Sequence, residues 1–401
     1  MIKRSVRFGL LAAALLLLSG VLAGCAGNQA ALTGASWPGI STGEEQELVY
    51  VAFGPGVYAV DPETGAEVWT YPAEPERGRT FYAPPAVSDD MVVVGDYDNT
   101  LVALNPDTGA PIWTFESDRS PFIGSATISN GLVYAGSADG VVHALNPQNG
   151  SEVWSFEADQ GIWAEPLVVE DTLYIPSLDK HLYALDAETG ELRWRFPDSG
   201  DSLTPPMGAI VSAPTYYEGL LLFGSFNNRL YALDVESREV VWQYEATNWV
   251  WGSPAVDEAT GTLVAADLDG HVFALDVETG DELWTTEVSG RVVGSPVLVA
   301  AQEGETAVFV GSGDPAGAAR LYKLNLETGQ NLVQPGSVEV EFASRFLFFE
   351  TGTNRRTVPL NSTPVALGDV VLVGSHEGDA PLHALDAGTL LGVWSFEPVG
   401  S

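Results

Sequence analysis

The chain has one cysteine, Cys25, in 401 residues. No intrachain disulfide can form, so stability has to come from buried apolar area. Basic residues are scarce: 17 Lys and Arg stand against 54 Asp and Glu, a formal charge of −37. Three of the positive charges, Lys3, Arg4 and Arg7, fall at the N-terminus. A surface this acidic repels phosphate backbones and excludes nucleic acid as a partner. Long apolar runs are missing beyond residue 22, and no long helical period appears after it. A phosphate loop, a zinc-ligand spacing and a Cys-x-x-Cys-His haem site are also absent. His181, His271 and His376 fall in turns without ligand spacing.

What the chain has is a repeat. The stretch Ala103-Leu104-Asn105-Pro106-Asp107-Thr108-Gly109-Ala110-Pro111-Ile112-Trp113 has counterparts opening at Ala59, Ala144, Ala184, Ala232, Ala274, Lys323 and Ala384. A period of about 40 to 50 residues is the signature of a propeller or solenoid. Each copy runs from a short apolar strand into Asp or Asn, turns at Thr-Gly, and ends in Trp on the next strand. Asp and Asn can bond their own backbone two residues on, and Gly supplies positive φ. The Ala leaves a hollow that an indole can fill. Trp closes seven copies, at Trp69, Trp113, Trp154, Trp194, Trp242, Trp284 and Trp394. The seventh copy has Lys323 and Val333 in place of Ala and Trp, while Arg238 and Leu390 replace Gly in the fifth and eighth. Those copies are expected to dock less tightly. His143 and His383 stand where other copies have Tyr58, Tyr183, Tyr231, Phe273 and Tyr322, so they read as packing residues.

Each unit reads as four short strands with turns at even spacing, which predicts an all-β protein. In the second unit these are 86–87, 91–95, 101–104 and 112–115, with a turn at Asp96-Tyr97-Asp98-Asn99. The Ala-x-Asp-x-x-x-Gly-x-x-x-Trp pattern resembles the tryptophan-docking repeat of the quinoprotein-type, or PQQ-like, eight-bladed β-propellers. The resemblance covers residues 37–397 and implies eight four-stranded antiparallel blades. One branch of that superfamily comprises the pyrroloquinoline quinone (PQQ) dehydrogenases; another comprises the BamB-like bacterial propeller lipoproteins, which are not enzymes. The motif is a packing device common to both, so it carries fold and not function.

Residues 1–24 form a signal segment, with a basic start and an apolar stretch at 8–22 too short for a comfortable membrane span. It ends in Leu22-Ala23-Gly24-Cys25, which resembles a bacterial lipobox and implies a lipidated N-terminus at Cys25; residues 25–36 are then a tether. An ordinary signal peptide with an incidental Cys is the alternative. The propeller occupies residues 37–401.

The candidate site lies in the loops that lead into each unit. They contain Trp163, Glu165, Trp249, Trp251 and Arg291, and these Trp fall outside the docking series. Glu165 precedes a recurring Pro where other units have Ser253, Ser295 or Thr363. One reading is a ligand or peptide site with aromatic walls; the other is aromatic packing between blade tips, with Glu165 solvated in a wet channel. A second candidate is the long connection 335–360, with Phe342, Phe346, Phe348, Phe349, Arg355 and Arg356. Its apolar residues make either a satellite core or a partner surface. The dehydrogenase branch implies PQQ, calcium and in many members a vicinal disulfide, but this chain has no Cys-Cys pair. Neither PQQ nor calcium is therefore expected. Asp267-Leu268-Asp269-Gly270 reads as a hairpin turn and not a calcium loop. The expectation is a monomeric lipoprotein scaffold that binds envelope proteins or peptides, with outer-membrane assembly as one setting. A quinoprotein dehydrogenase or a small-ligand or sugar binder is the alternative.

Overall fold

Ala59 lies directly opposite Trp69 across a strand pair, and the same pairing joins Ala103 to Trp113, Ala144 to Trp154, Ala184 to Trp194, Ala232 to Trp242, Ala274 to Trp284 and Ala384 to Trp394. The hollow inferred from the small residue is thus filled by the indole of the same blade. The next register step skips one residue, so Val68, Ile112, Val153, Arg193, Val241, Leu283 and Val393 are bulged out of their pairs.

These pairs belong to an eight-bladed β-propeller, seen in a computed structural model that describes residues 38–398 except 44–46, 75, 77, 118–119, 199–206, 301–304, 314–318, 347–348 and 376–379, and only the backbone of 340–356. Cys25, Trp37 and Phe348 lie outside the described residues. The blades are residues 39–71, 86–116, 127–157, 167–196, 215–245, 255–287, 297–325 and 365–396, here blades 1 to 8. Seven are four-stranded antiparallel sheets whose strands follow in chain order. The second unit has strands Ala86–Val87, Val92–Gly95, Thr100–Leu104 and Pro111–Glu116, within about one residue of the sequence reading.

Blade 7 departs from the expected four strands. Its sheet has three, and beyond the strand Arg320–Asn325 the described residues form only two bridges, Leu324 to Asn331 and Leu321 to Gly336. Without an indole to seat, the outer position does not form a ladder. The long connection after it is not structureless. It forms a β-hairpin of Glu339–Phe346 and Phe349–Thr357, with Glu341 opposite Arg355, Arg345 opposite Glu350 and Arg356 opposite Val340.

The core is divided among the blade interfaces: each of eight apolar clusters joins residues of two neighbouring blades. Trp69, for example, packs with Val92, Val94, Val102 and Leu104 of blade 2. Its indole N–H donates to the Pro106 carbonyl of that blade at 2.7 Å. The Gly109 turn lies beneath the ring; φ there is +67°, and a Cβ would stand 2.6 Å from the indole. Equivalent bonds run from Trp113 to Pro147, Trp154 to Ala187, Trp242 to Val277, Trp284 to Leu326 and Trp394 to Pro62. The last joins blade 8 to blade 1. Among the described residues, neither of those blades borrows a strand from the other end of the chain, and the ring closes by side-chain docking.

Candidate functional site

The innermost strands, such as Gly39–Thr42, Ala86–Val87, Thr127–Ser129 and Leu167–Val169, neighbour one another around the central channel. From blade 2 onward, the loop leading into each carries a buried apolar anchor five residues before the strand begins. These anchors are Phe81, Phe122, Ile162, Ile210, Val250, Val292 and Leu360, all at most 1% exposed. In the first six of these loops the residue before the anchor is tied by its carbonyl to the middle turn of the coming blade. Tyr97 N–H donates to Thr80, Ala138 to Pro121, Leu178 to Gly161, Phe226 to Ala209, Leu268 to Trp249 and Gly313 to Arg291, at 2.9 to 3.0 Å. Anchor amides tie back to the preceding blade: Phe122 N–H donates to Asp96, Ile162 to Ser137 and Ile210 to Ser177. Main-chain stitching of this kind makes the loop face rigid.

This frame places each candidate residue. Trp249 and Arg291 hold equivalent positions in adjacent loops, each one residue before its anchor. Trp163 and Trp251 hold equivalent positions in loops two blades apart, each one residue after. Trp249 stacks on Phe226 at 4.3 Å and 9° between planes, and Trp251 meets the same ring at 5.1 Å and 40°. Phe226 escapes the sequence reading because it sits in a turn; the signal is its alignment with Tyr97, Ala138, Leu178 and Leu268, a position where only Tyr97 is also aromatic. Trp249 stays 39% exposed. The Trp163 indole nitrogen is buried without a hydrogen-bond partner. Arg291 pairs through its backbone with Gly313 and its side chain is exposed. Among the described residues, no hydrogen bond, ion pair or ring contact joins Glu165 or Arg291 to the Phe226 cluster, so the candidates do not form one constellation.

Glu165 opens instead onto a cavity of about 280 Å³ at the channel, walled by the innermost strands of blades 1 to 3. Water reaches the residue, yet protein surrounds it, and that desolvation pushes its carboxyl up to about 7. The confined water limits how strongly the shift is felt. Across the channel, Ser253 N–H donates to Ser295 Oγ at 2.9 Å and Ser295 N–H to Thr363 Oγ1 at 3.0 Å. There the small hydroxyls serve as backbone acceptors, a structural duty that Glu165 does not share.

Asp267 accepts bonds from the Thr247, Asp269 and His271 amides, so the Asp267–Gly270 stretch is a tied turn, as its sequence indicates. Among the described residues, no three His, Cys, Asp or Glu side chains converge to hold a metal ion. Phe346, Arg355 and Arg356 are on the hairpin, which runs directly into the lead-in loop of blade 8.

The ring of eight sheets and the indole docks define the class of the molecule as an eight-bladed PQQ-like propeller. A family profile described as outer membrane protein assembly factor BamB matches residues 27–127, 102–216 and 199–401, and the chain belongs to that family. Among solved structures, it is similar to BamB from Moraxella catarrhalis, at 20% identity over 84% of this chain and 93% of that one, with a TM-score of 0.62. It is also similar to a computationally designed protein, Ika8, at 14% identity over 88% and 96%, TM-score 0.65. A europium-containing methanol dehydrogenase matches at 15% identity over 69% and 73%, TM-score 0.60. Identities this low show the fold alone. No curated protein matches the chain.

Proposed function

We propose that this protein is a non-enzymatic scaffold of the bacterial envelope, held to a membrane by lipid on Cys25, whose lead-in loops present a docking face to other envelope proteins. Membership of a family described as an outer membrane protein assembly factor supports that setting. The observation that carries the reading is the Phe226, Trp249 and Trp251 patch on a face stitched by main-chain bonds. Rigid, partly exposed aromatics lose little entropy on contact and are enriched where proteins bind one another. The donor set fits a quinone-dehydrogenase centre poorly. Calcium takes six to eight oxygen ligands, several of them carboxylates, and the channel cavity offers one carboxylate, Glu165. PQQ and calcium are therefore not part of the proposal.

A photo-cross-linking residue at position 249, in living cells, tests the scaffold. The expected result is a cross-link to a component of the outer-membrane assembly machinery, lost in Trp251→Ala. A chain that cross-links to no envelope protein from position 249 overturns the reading. Dye reduction by the purified protein loaded with PQQ and calcium would overturn its non-enzymatic part.

A further inference from the structure

The polar side chains that line the channel cavity are four hydroxyls and one carboxylate, with no basic or amide side chain among them. Ser125 Oγ donates to the Ala126 carbonyl at 3.2 Å, and Thr127 Oγ1 donates to the Pro166 carbonyl. With those hydrogens committed, the two hydroxyls show lone pairs to the cavity. Ser41 and Thr42 add hydroxyls that can rotate to accept. Glu165 adds the charge. It is the acidic member of a set otherwise made of Pro84, Ser125, Ala213, Ser253, Ser295 and Thr363. Among the described residues no hydrogen-bond donor or cation meets its carboxyl. Its carboxylate faces the channel without a partner, and the other blades show that the fold does not need one at this position.

An acceptor-rich wall around one negative charge suits a group that carries positive charge and only donors. An alkylammonium has three N–H donors and no acceptor. A hard divalent cation would need more carboxylates, and an anion or a neutral polyol would find few donors. We propose that the channel mouth beside Glu165 binds a small organic ammonium ion, with Glu165 as its counter-ion and the Ser125 and Thr127 oxygens as further acceptors. The site is separate from the aromatic docking face and stands whether or not that face binds a protein.

Calorimetric titration of the full-length protein with n-butylammonium tests it, against n-butyltrimethylammonium, which has the charge but no N–H. Charge-assisted bonds of this kind are worth enough that Glu165→Gln is expected to weaken binding about tenfold or more. The variant should melt no lower than the wild type. In the wild type, n-butylammonium should also lower the midpoint of the Glu165 carboxyl titration followed by carbon NMR, which a merely structural residue would not show. The proposal is overturned by an absence of saturable binding, by equal binding of the N–H-free ion or to the Gln variant, or by an unmoved carboxyl midpoint. Displacement of the amine by equimolar potassium would reassign the site to alkali cations and overturn it too.

Discussion

At the residue scale, the docking indole works through three coupled positions: Trp, the Ala across from it, and the Gly of the next blade. Burial dominates the energetics. Truncating a buried Trp costs about 3 to 5 kcal/mol, whereas its hydrogen bond contributes about 1 kcal/mol. Trp194 illustrates the effect of changing one of the three. The next blade has Arg238 in the Gly place, held at a φ of 60°, and among the described residues no hydrogen bond from Trp194 to that turn forms. Left-handed backbone at a non-glycine costs about 1 to 2 kcal/mol, partly offset by the entropy glycine loses on folding. Arg238→Gly should therefore stabilise the protein by about 1 kcal/mol in urea unfolding; a loss of stability would show that Arg238 makes a compensating contact. His383 supplies the pH dependence. It is 3% exposed, its Nδ1 is 2.8 Å from Ser395 Oγ, and burial pushes it down to about 4. Its folded pKa lies below its unfolded value, so its contribution is complete above pH ~6.5 and is lost as pH falls toward the folded value. Phe fills the same place at Phe273, so His383→Phe should retain about 2 kcal/mol more than the wild type at pH ~5 relative to pH ~7. Equal acid losses in the two proteins would count against it.

At the element scale, the outer strand of each four-stranded blade is an edge that could pair with another molecule. The bulge one residue before each Trp interrupts that edge, and flanking acids such as Glu116, Glu157, Glu245 and Glu287 charge it. Blade 7 has lost the device entirely. Val333 replaces the indole, Lys323 the Ala, and in blade 8 Leu390, 2% exposed, fills the space that a Gly turn leaves for a ring. The three departures therefore make one change. Val333→Trp alone should destabilise by about 1 to 3 kcal/mol through overpacking against Leu390. Adding Leu390→Gly and Lys323→Ala should recover most of that loss, with a coupling of at least about 1 kcal/mol in a mutant cycle. Additive effects would show that the positions are independent. The spacing of Ala, Gly and Trp is visible along the chain because each reports a local demand, a hollow, a positive φ and a filler. Blade number and strand positions are therefore legible from it. The bulge is not, since it depends on register across two strands. Nor are the Phe226 stack, which joins residues from two blades, or the hairpin at 339–357, whose alternation is broken at Ser344.

At the scale of the whole molecule, seven blade interfaces are crossed by the chain and the eighth is not. Blades 8 and 1 meet through Trp394, whose N–H donates to Pro62 at 3.2 Å and whose ring covers Gly65, and through Tyr58 set edge-on to Phe396 at 5.4 Å. Val49, Val51, Leu372 and Leu382 complete that cluster. At every other interface a lead-in loop keeps the two blades close after their contacts break, so re-docking is favoured by a high effective concentration. Here re-docking depends on the rest of the ring holding its curvature. The acidic charge works in the same direction, because mutual repulsion favours an opened ring and is relieved by salt. The closure should be the place where local opening begins. Trp394→Ala and Trp113→Ala remove the same side chain and should cost similar global stability, about 3 to 5 kcal/mol each. Their hydrogen exchange should differ. Trp394→Ala should speed exchange selectively in Gly39–Thr42, Val365–Leu367 and Gly392–Phe396, more so at low ionic strength. Trp113→Ala should raise exchange without that concentration at the seam. If both variants exchange evenly around the ring, the seam is as strong as the chain-crossed interfaces and side-chain docking alone suffices to close it.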